Sequence, residues 1–189
     1  MGISFANFDG TSFQKPNPGG VRRVLVIIKK DFAAIWPQLS DIVDGQIVNP
    51  PVLKTNKVFA EYDCPDASVD VGSQSSGDIG YMSYKHSINF SLAGYSKELI
   101  AELSKYQNAG AVFAVEQNDS TYTILGSSDN ALALKSDFKS GKKGADKRGF
   151  DLKGEQDGFM WDIIPLSNDC VAYLTAPRLY SPEWSFLFH

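Results

Sequence analysis

A chain of 189 residues is long enough for one substantial hydrophobic core and short for two, so a single domain is expected. With 43% apolar and 12% aromatic residues against 21% charged ones, the composition is that of a folded protein and not of a disordered one. A formal net charge of -4 argues against wholesale attraction to nucleic acid, because phosphate binding is carried by cations.

The first twenty residues contain no charged start followed by an apolar run, and the longest apolar run, Val24 to Ile28, is too short to span a bilayer. No membrane partner is expected, and a reducing cytoplasm is the expected site of synthesis. There Cys64 and Cys170 read as small buried apolar residues, although spacing alone leaves a disulfide open.

Residues 1–20 read as an extended arm ended by Pro16, Pro18, Gly19 and Gly20, with residues 21–189 forming one β-rich domain. Phe5, Phe8 and Phe13 are spaced along the arm, and isolated aromatics on a polar arm suit docking, either onto its own domain or onto a neighbouring subunit. The β-branched run Val21 to Ile28 and the run Val52 to Tyr62 predict strands. Between them, Phe32 to Ile35 suits a single helical turn and Asp44-Gly45 a tight turn. The stretch Val69 to Gly80, rich in Gly and Ser, predicts a long loop.

Ile88, Phe90 and Leu92 alternate with polar or small residues, the pattern of a half-buried strand. Ser96 is placed to cap a helix over SKELIAELSKY, whose Leu99, Ile100, Leu103 and Tyr106 share one face; Gly110 ends it. AVFAVE (Ala111 to Glu116) and TYTIL (Thr121 to Leu125), separated by turn residues, predict a β-hairpin. ALAL follows at Ala131 to Leu134, then a loop over Ser136 to Gly149, a strand over Phe150 to Glu155, and short apolar runs at Trp161 to Leu166 and Cys170 to Thr175. The fold expected is mainly β: an antiparallel β-sandwich or partly closed barrel with one flanking α-helix.

Motifs for catalysis, metals and phosphate are weak. Of the two histidines, His189 is the last residue and His86, beside a predicted strand, reads best as a surface or interface side chain. No serine stands in a nucleophile-elbow pattern. Cys64, Cys170, His86 and His189 lack paired ligand spacing, so no metal and no cofactor is expected. Gly141-Lys142-Lys143-Gly144 lacks the earlier glycine of a phosphate loop, and the Ser-x-x-Lys spacings at Ser136 and Ser140 stand without companion motifs.

One charge feature stands out. Between Lys135 and Lys153 the cations Lys139, Lys142, Lys143, Lys147 and Arg148 outnumber Asp137, Asp146 and Asp151, a local reversal in an acidic chain. The plain reading is a solvated loop; the functional one is a basic tongue that meets an acidic face of the next subunit. Together with Phe5, Phe8 and Phe13, these cations are the candidate subunit contacts of a head-to-tail self-assembly.

The order of strand (SINFSLAG), helix (SKELIAELSKY), hairpin (AVFAVEQNDSTYTILG), apolar piece (NALALKS), loop (SGKKGADKRG) and strand (FDLKGE) between Ser83 and Glu155 resembles the core of a bacteriophage tail-tube protein. TYTILGSSDNALAL with the Gly-rich loop after it is similar to virion proteins of phages infecting Bacteroidetes-like hosts. The resemblance implies a structural subunit, not an enzyme, that forms stacked hexameric rings within a virion after synthesis in the host cytoplasm. Its partners would be copies of itself and other virion proteins, with DNA only as passing cargo. It further implies acidic residues along a lumen, and contacts between subunits and rings made by the loop Ser136 to Gly149 and the arm. Head-tail connectors and baseplate rings are related alternatives. A carbohydrate-binding sandwich, with Trp36, Trp161, Trp184, Tyr81, Tyr84 and Tyr180 as stacking platforms, is a reading from another class.

Overall fold

In the computed structural model of the chain, residues 19–144 and 146–174 are described. Strand β1 (Val21–Ile28) is β-branched throughout its second half and buries four consecutive residues, Val24 to Ile27, so both of its faces are covered. It pairs antiparallel with β4 (Ala60–Tyr62) on one side and with β7 (Gly110–Gln117) on the other. Strand β7 continues onto β8 (Tyr122–Leu125) and thence to the short β11 (Ile164–Pro165). These five strands form one layer. The hairpin expected at AVFAVE and TYTIL is therefore present, its turn held by the Asp119 carboxylate accepting from Thr121 N at 2.9 Å.

The second layer is β9 (Leu132–Lys139), β10 (Gly149–Phe159), β6 (Ser83–Ala93) and β5 (Asp70–Ser76), in that order. The layers belong to one nine-stranded antiparallel sheet, joined where Gly110 and Ala111 of β7 pair with Ala133 and Leu132 of β9. That junction is only two residues long, so the sheet folds over on itself there without closing into a barrel. Val24, Val26, Phe113, Val115 and Leu125 from the first layer meet Ile88, Phe90, Leu92 and Leu152 from the second in one apolar core. Helix α1 (Lys97–Ser104), capped by Ser96 Oγ accepting from Leu99 N at 3.1 Å, lends Leu99 and Leu103 to its margin.

A second core lies on the other face of the first layer. Leu25, Ile27, Val112, Ala114 and Ile124 point into it, covered by Phe32, Trp36, Phe59, the small hairpin β2 (Ile42–Val43) and β3 (Gln46–Ile47), and α2 (Asn168–Leu174). Asp44 and Gly45, both at positive φ (51° and 75°), turn that hairpin as the Asp-Gly pair predicts.

Several sequence expectations need correction. The stretch expected to be a loop from Val69 to Gly80 contains strand β5, which pairs with β6 from Asp70↔Asn89 to Ser76↔Ser83. A ladder is made by backbone groups, so an edge strand with small polar side chains needs little apolar patterning. The loop expected over Ser136 to Gly149 is shorter, because β9 continues to Lys139; β10 in turn runs past Glu155 to Phe159 through an irregularity near Gly158. Of Val52 to Tyr62 only Ala60–Tyr62 is a named strand, with an isolated bridge between Phe32 and Leu53 before it. The turn expected at Phe32 to Ile35 is displaced to Lys29–Asp31, and the run from Cys170 belongs to a second helix, α2. Of the expected arm, Gly19 and Gly20 are within the described residues: Asn118 Nδ2 donates to Gly19 O at 2.7 Å and Asn118 N to Gly20 O at 3.1 Å.

Phe113 is fully buried between the layers, with the Phe90 ring 6.0 Å away and edge-on. Phe113→Ala is expected to lower the unfolding free energy by about 3–5 kcal/mol in a urea titration, by loss of transfer energy plus an unfilled cavity.

Candidate functional site

The β9–β10 hairpin gathers the cations that the sequence singles out. Lys139 ends β9 and donates to Asp151 Oδ2 at 2.6 Å. That hydrogen bond, with a second from Ser91 Oγ, holds the Asp151 carboxyl below its ordinary range. Lys142 and Lys143 lie in the turn, where Asp146 Oδ2 accepts from both of their backbone nitrogens, at 2.7 and 2.8 Å. The turn is thus a shaped one, with its lysine side chains outward. Arg148 places its guanidinium carbon 5.1 Å from the centre of the Tyr95 ring, a cation–π arrangement. Lys139, Lys142, Lys143, Lys147 and Arg148 are therefore at one end of one hairpin. Phe5, Phe8 and Phe13 lie outside the described residues.

Beneath this basic end is a feature the sequence reading misses. Phe138 and Phe150 are opposite one another in the β9–β10 register, with ring centres 5.0 Å apart, and Tyr95 joins them at 4.9 Å from Phe138. Tyr95 and Phe138 are exposed. The cluster runs through Phe150 into a groove of about 320 Å³ between α1 and the hairpin, walled by Ile100, Leu103, Leu134 and Leu152. The two phenylalanines flank the basic loop in the sequence, which is the signal that they cap the two arms of a hairpin.

The opposite, outward face of the second layer is polar along its length. Register places Gln74, Gly72 and Asp70 of β5 beside Lys85, Ser87 and Asn89 of β6, while Ser87, Asn89 and Ser91 of β6 face Glu155, Lys153 and Asp151 of β10, and these face Ala133, Lys135 and Asp137 of β9. Lys85 and Lys153 both approach Glu155 Oε2, at 3.0 and 3.3 Å, and keep its carboxyl below the ordinary value.

His86 is not at the surface, as the sequence reading has it, but fully buried. The alternation of Ile88, Phe90 and Leu92 extends back two residues to it, which is the signal that places it inward. Its ring stacks on Phe159 at 4.0 Å. Gly126 N donates to Nδ1 at 3.3 Å, so the proton sits on Nε2, 3.1 Å from Trp161 O. Both nitrogens are engaged, and neither is free to take a proton from a substrate. Burial lowers its pKa, opposed by the Trp161 carbonyl and the charge of Asp162.

Of the proposed stacking platforms, Trp36 is buried in the second core, with Nε1 donating to Asn49 O at 2.7 Å, and so is no platform. Trp161 and Tyr84 are half-buried, Tyr81 is exposed, and Tyr180 and Trp184 lie outside the described residues. Both cysteines are free thiols; Cys170 is buried as expected, and half-buried Cys64 is pushed up to about 11 by desolvation. Among the described residues no group of three or more His, Cys, Asp or Glu side chains is placed to hold a metal ion, and no helix is long and apolar enough to cross a membrane. Comparison with family models, with curated proteins and with solved structures finds no match.

Because the folded imidazole is held below its ordinary value, the unfolded chain binds the proton more readily. The stability His86 contributes is therefore present above about pH 6.5 and is lost as pH falls below it. Urea midpoints measured from pH 8 to pH 5 are expected to fall below pH 6.5. His86→Phe is expected to be less stable at neutral pH, leaving Gly126 N and Trp161 O without this partner, while removing most of that acid slope.

Proposed function

We propose that the chain is a structural subunit that assembles with copies of itself into the stacked rings or tube of a bacteriophage tail, through which DNA passes. The observation that carries this reading is the outward face of the second layer. It is about four strands wide, presents only polar, charged or small side chains, and pairs Lys139 with Asp151 and both Lys85 and Lys153 with Glu155. A wall of that kind lets a polyanion slide past without a row of unpaired cations to hold it. The face is balanced and not acidic: Asp70, Asp137, Asp151 and Glu155 are matched by Lys85, Lys135, Lys139 and Lys153. A lumen built from it is neutral by count of these charges, unlike the acidic lining that the resemblance implies.

A folded-over sandwich with a flanking helix and an ordered basic hairpin also suits a subunit that contacts its neighbours by protruding elements rather than by a broad flat face. The carbohydrate-binding reading is weakened, since Trp36 is taken up by the core and the groove beside α1 is lined by aliphatic side chains more than by aromatic ones.

The first test is negative-stain electron microscopy across a concentration series, with mass by light scattering on the same samples. Rings of about six subunits or stacked tubes are the expected result; a monomer at every concentration would overturn the reading. Reversing Lys142, Lys143, Lys147 and Arg148 to Glu is expected to abolish stacking at low salt, where charges are least screened. Sedimentation identical to the parent protein would reduce the hairpin end to a solvated turn. Removing residues 1–18, which keeps the Gly19 and Gly20 clamp on Asn118, is expected to weaken association by light scattering while the thermal melt is unchanged.

A further inference from the structure

The turn between β5 and β6, Gly77 to Met82, is an ordered knob. Tyr81 N donates to Asp78 O at 2.9 Å, and Gly77 sits at φ 116° with its backbone so close to Tyr81 O that an added Cβ would approach it to 2.4 Å. On this fixed turn Ile79 is 98% exposed and Tyr81 85% exposed, with Met82 beside them. Phe159 pairs with Tyr84, so exposed Met160 follows at the same end of the sheet. Four large apolar side chains, three on this turn and Met160 beside it, held outward at one end of the sheet mark a contact surface.

The aromatic mouth of the groove between α1 and the β9–β10 hairpin, at Tyr95, Phe138 and Phe150, lies at the other end of the same sheet. Gly149 of β10 pairs with Ala93, the last residue of β6, whereas the knob precedes Ser83, the first. Phe150, at the groove mouth, pairs with Leu92, and at about 3.3 Å per residue the steps from Ser83 to Leu92 put roughly 30 Å between the knob and that mouth. The knob of one molecule therefore does not reach its own groove. The charges left unpaired differ in the same sense: Asp78, Asp157 and Asp162 are at the knob end, where Lys85 is held by Glu155, while Lys142, Lys143, Lys147 and Arg148 are at the groove end, where Glu98, Glu102 and Asp151 are held by Lys97, Lys105 and Lys139 and Asp63 and Asp66 lie beside Tyr95.

We propose that the Gly77–Met82 knob of one copy seats in the groove between α1 and the β9–β10 hairpin of the next copy, with Ile79 and Tyr81 against the Tyr95, Phe138 and Ile100 surface and the acidic knob end facing the basic rim. This deepens the assembly reading and rests on it. The contact is heterologous, the same knob and groove being used at every junction, so repetition generates a ring or a tube. Charge complementarity sets the direction of addition, and burial of the two apolar surfaces supplies the attraction.

The decisive experiment uses the full chain in a Cys64→Ser background, so that the half-buried thiol does not compete. Tyr81→Cys and Ile100→Cys proteins are oxidised separately and as a mixture. A disulfide-linked pair in the mixture and in neither protein alone is expected. Ile79→Ser with Tyr81→Ser is expected to raise the concentration needed for assembly about tenfold or more, with an unchanged thermal melt because both positions are exposed. Assembly of the parent protein with no mixed disulfide, and with normal association of the serine variant, would overturn the knob contact while leaving the assembly reading standing. No association of the parent protein at any concentration would overturn both. If the serine variant assembled normally but lost binding to lipid vesicles that the parent protein shows, the knob would be a membrane contact instead.

Discussion

Strand β7 has no wet face. Ala111, Phe113 and Val115 point into the space between the two layers, while Val112 and Ala114 point the other way, under Trp36, α2 and the small β2–β3 hairpin. A strand buried on both sides has to be covered twice, and that requirement organises the molecule. The second layer folds over through the two-residue pairing of β7 with β9 to cover one face. The segment from Phe32 to Phe59, with its β2–β3 hairpin, and the segment from Leu166 to Leu174, with α2, cover the other. Each covering segment is held in part by backbone hydrogen bonds, such as Ser128 N to Trp36 O at 2.8 Å and Ser167 N to Ile47 O at 2.9 Å, since buried loop backbone needs partners.

Most polar groups that enter the cores are satisfied; among the described residues Thr123 Oγ1 and Trp161 Nε1 are buried without a hydrogen-bond partner. Glu116, at the end of β7, accepts from Tyr122 Oη at 2.7 Å and is approached by Arg22 and Arg23 at 3.4 and 3.7 Å. Desolvation and the bond to Glu116 together raise the Tyr122 pKa. His86 does the corresponding work between the layers, joining the end of β8 to the segment after β10. Beside α1, the Tyr62 hydroxyl meets that of Tyr106, and burial raises the pKa of both. Removing one member of such a group leaves a buried donor or acceptor without its partner, which costs more than the bond itself contributes.

With the cores enclosed, the second layer is left with three distinct surfaces. Its broad outward side is polar and self-neutralised. One end carries an apolar knob with acidic neighbours, and the other a largely aliphatic groove, aromatic at its mouth, beside the basic hairpin tip. Because strands β6 and β10 are long and antiparallel, the two hairpin turns that build these ends fall at opposite extremes of the sheet. A molecule polarised along its strands in this way is suited to adding head to tail.

How much of this was legible beforehand follows from which forces are local. The alternation of Ile88, Phe90 and Leu92, the Ser96 cap, the Asp44-Gly45 turn and the apolar run of β7 are set by period and turn chemistry, and they specify their elements unaided. The cation cluster from Lys139 to Arg148 was legible as charge. Strand β5 was not, because an edge strand is held by backbone pairing to β6 and its side chains carry almost no pattern. The Tyr95, Phe138 and Phe150 cluster was not, because it exists only once the β9–β10 register sets two distant phenylalanines opposite each other. His86 became a buried link between layers only when Gly126, Phe159 and Trp161, each far away in sequence, converged on it. Local chemistry sets a β-rich fold with one amphipathic helix and a run of basic residues; only the tertiary structure makes that run the end of a hairpin and settles which surfaces face each other and which stay open, because register and layer folding act between residues that local chemistry does not connect.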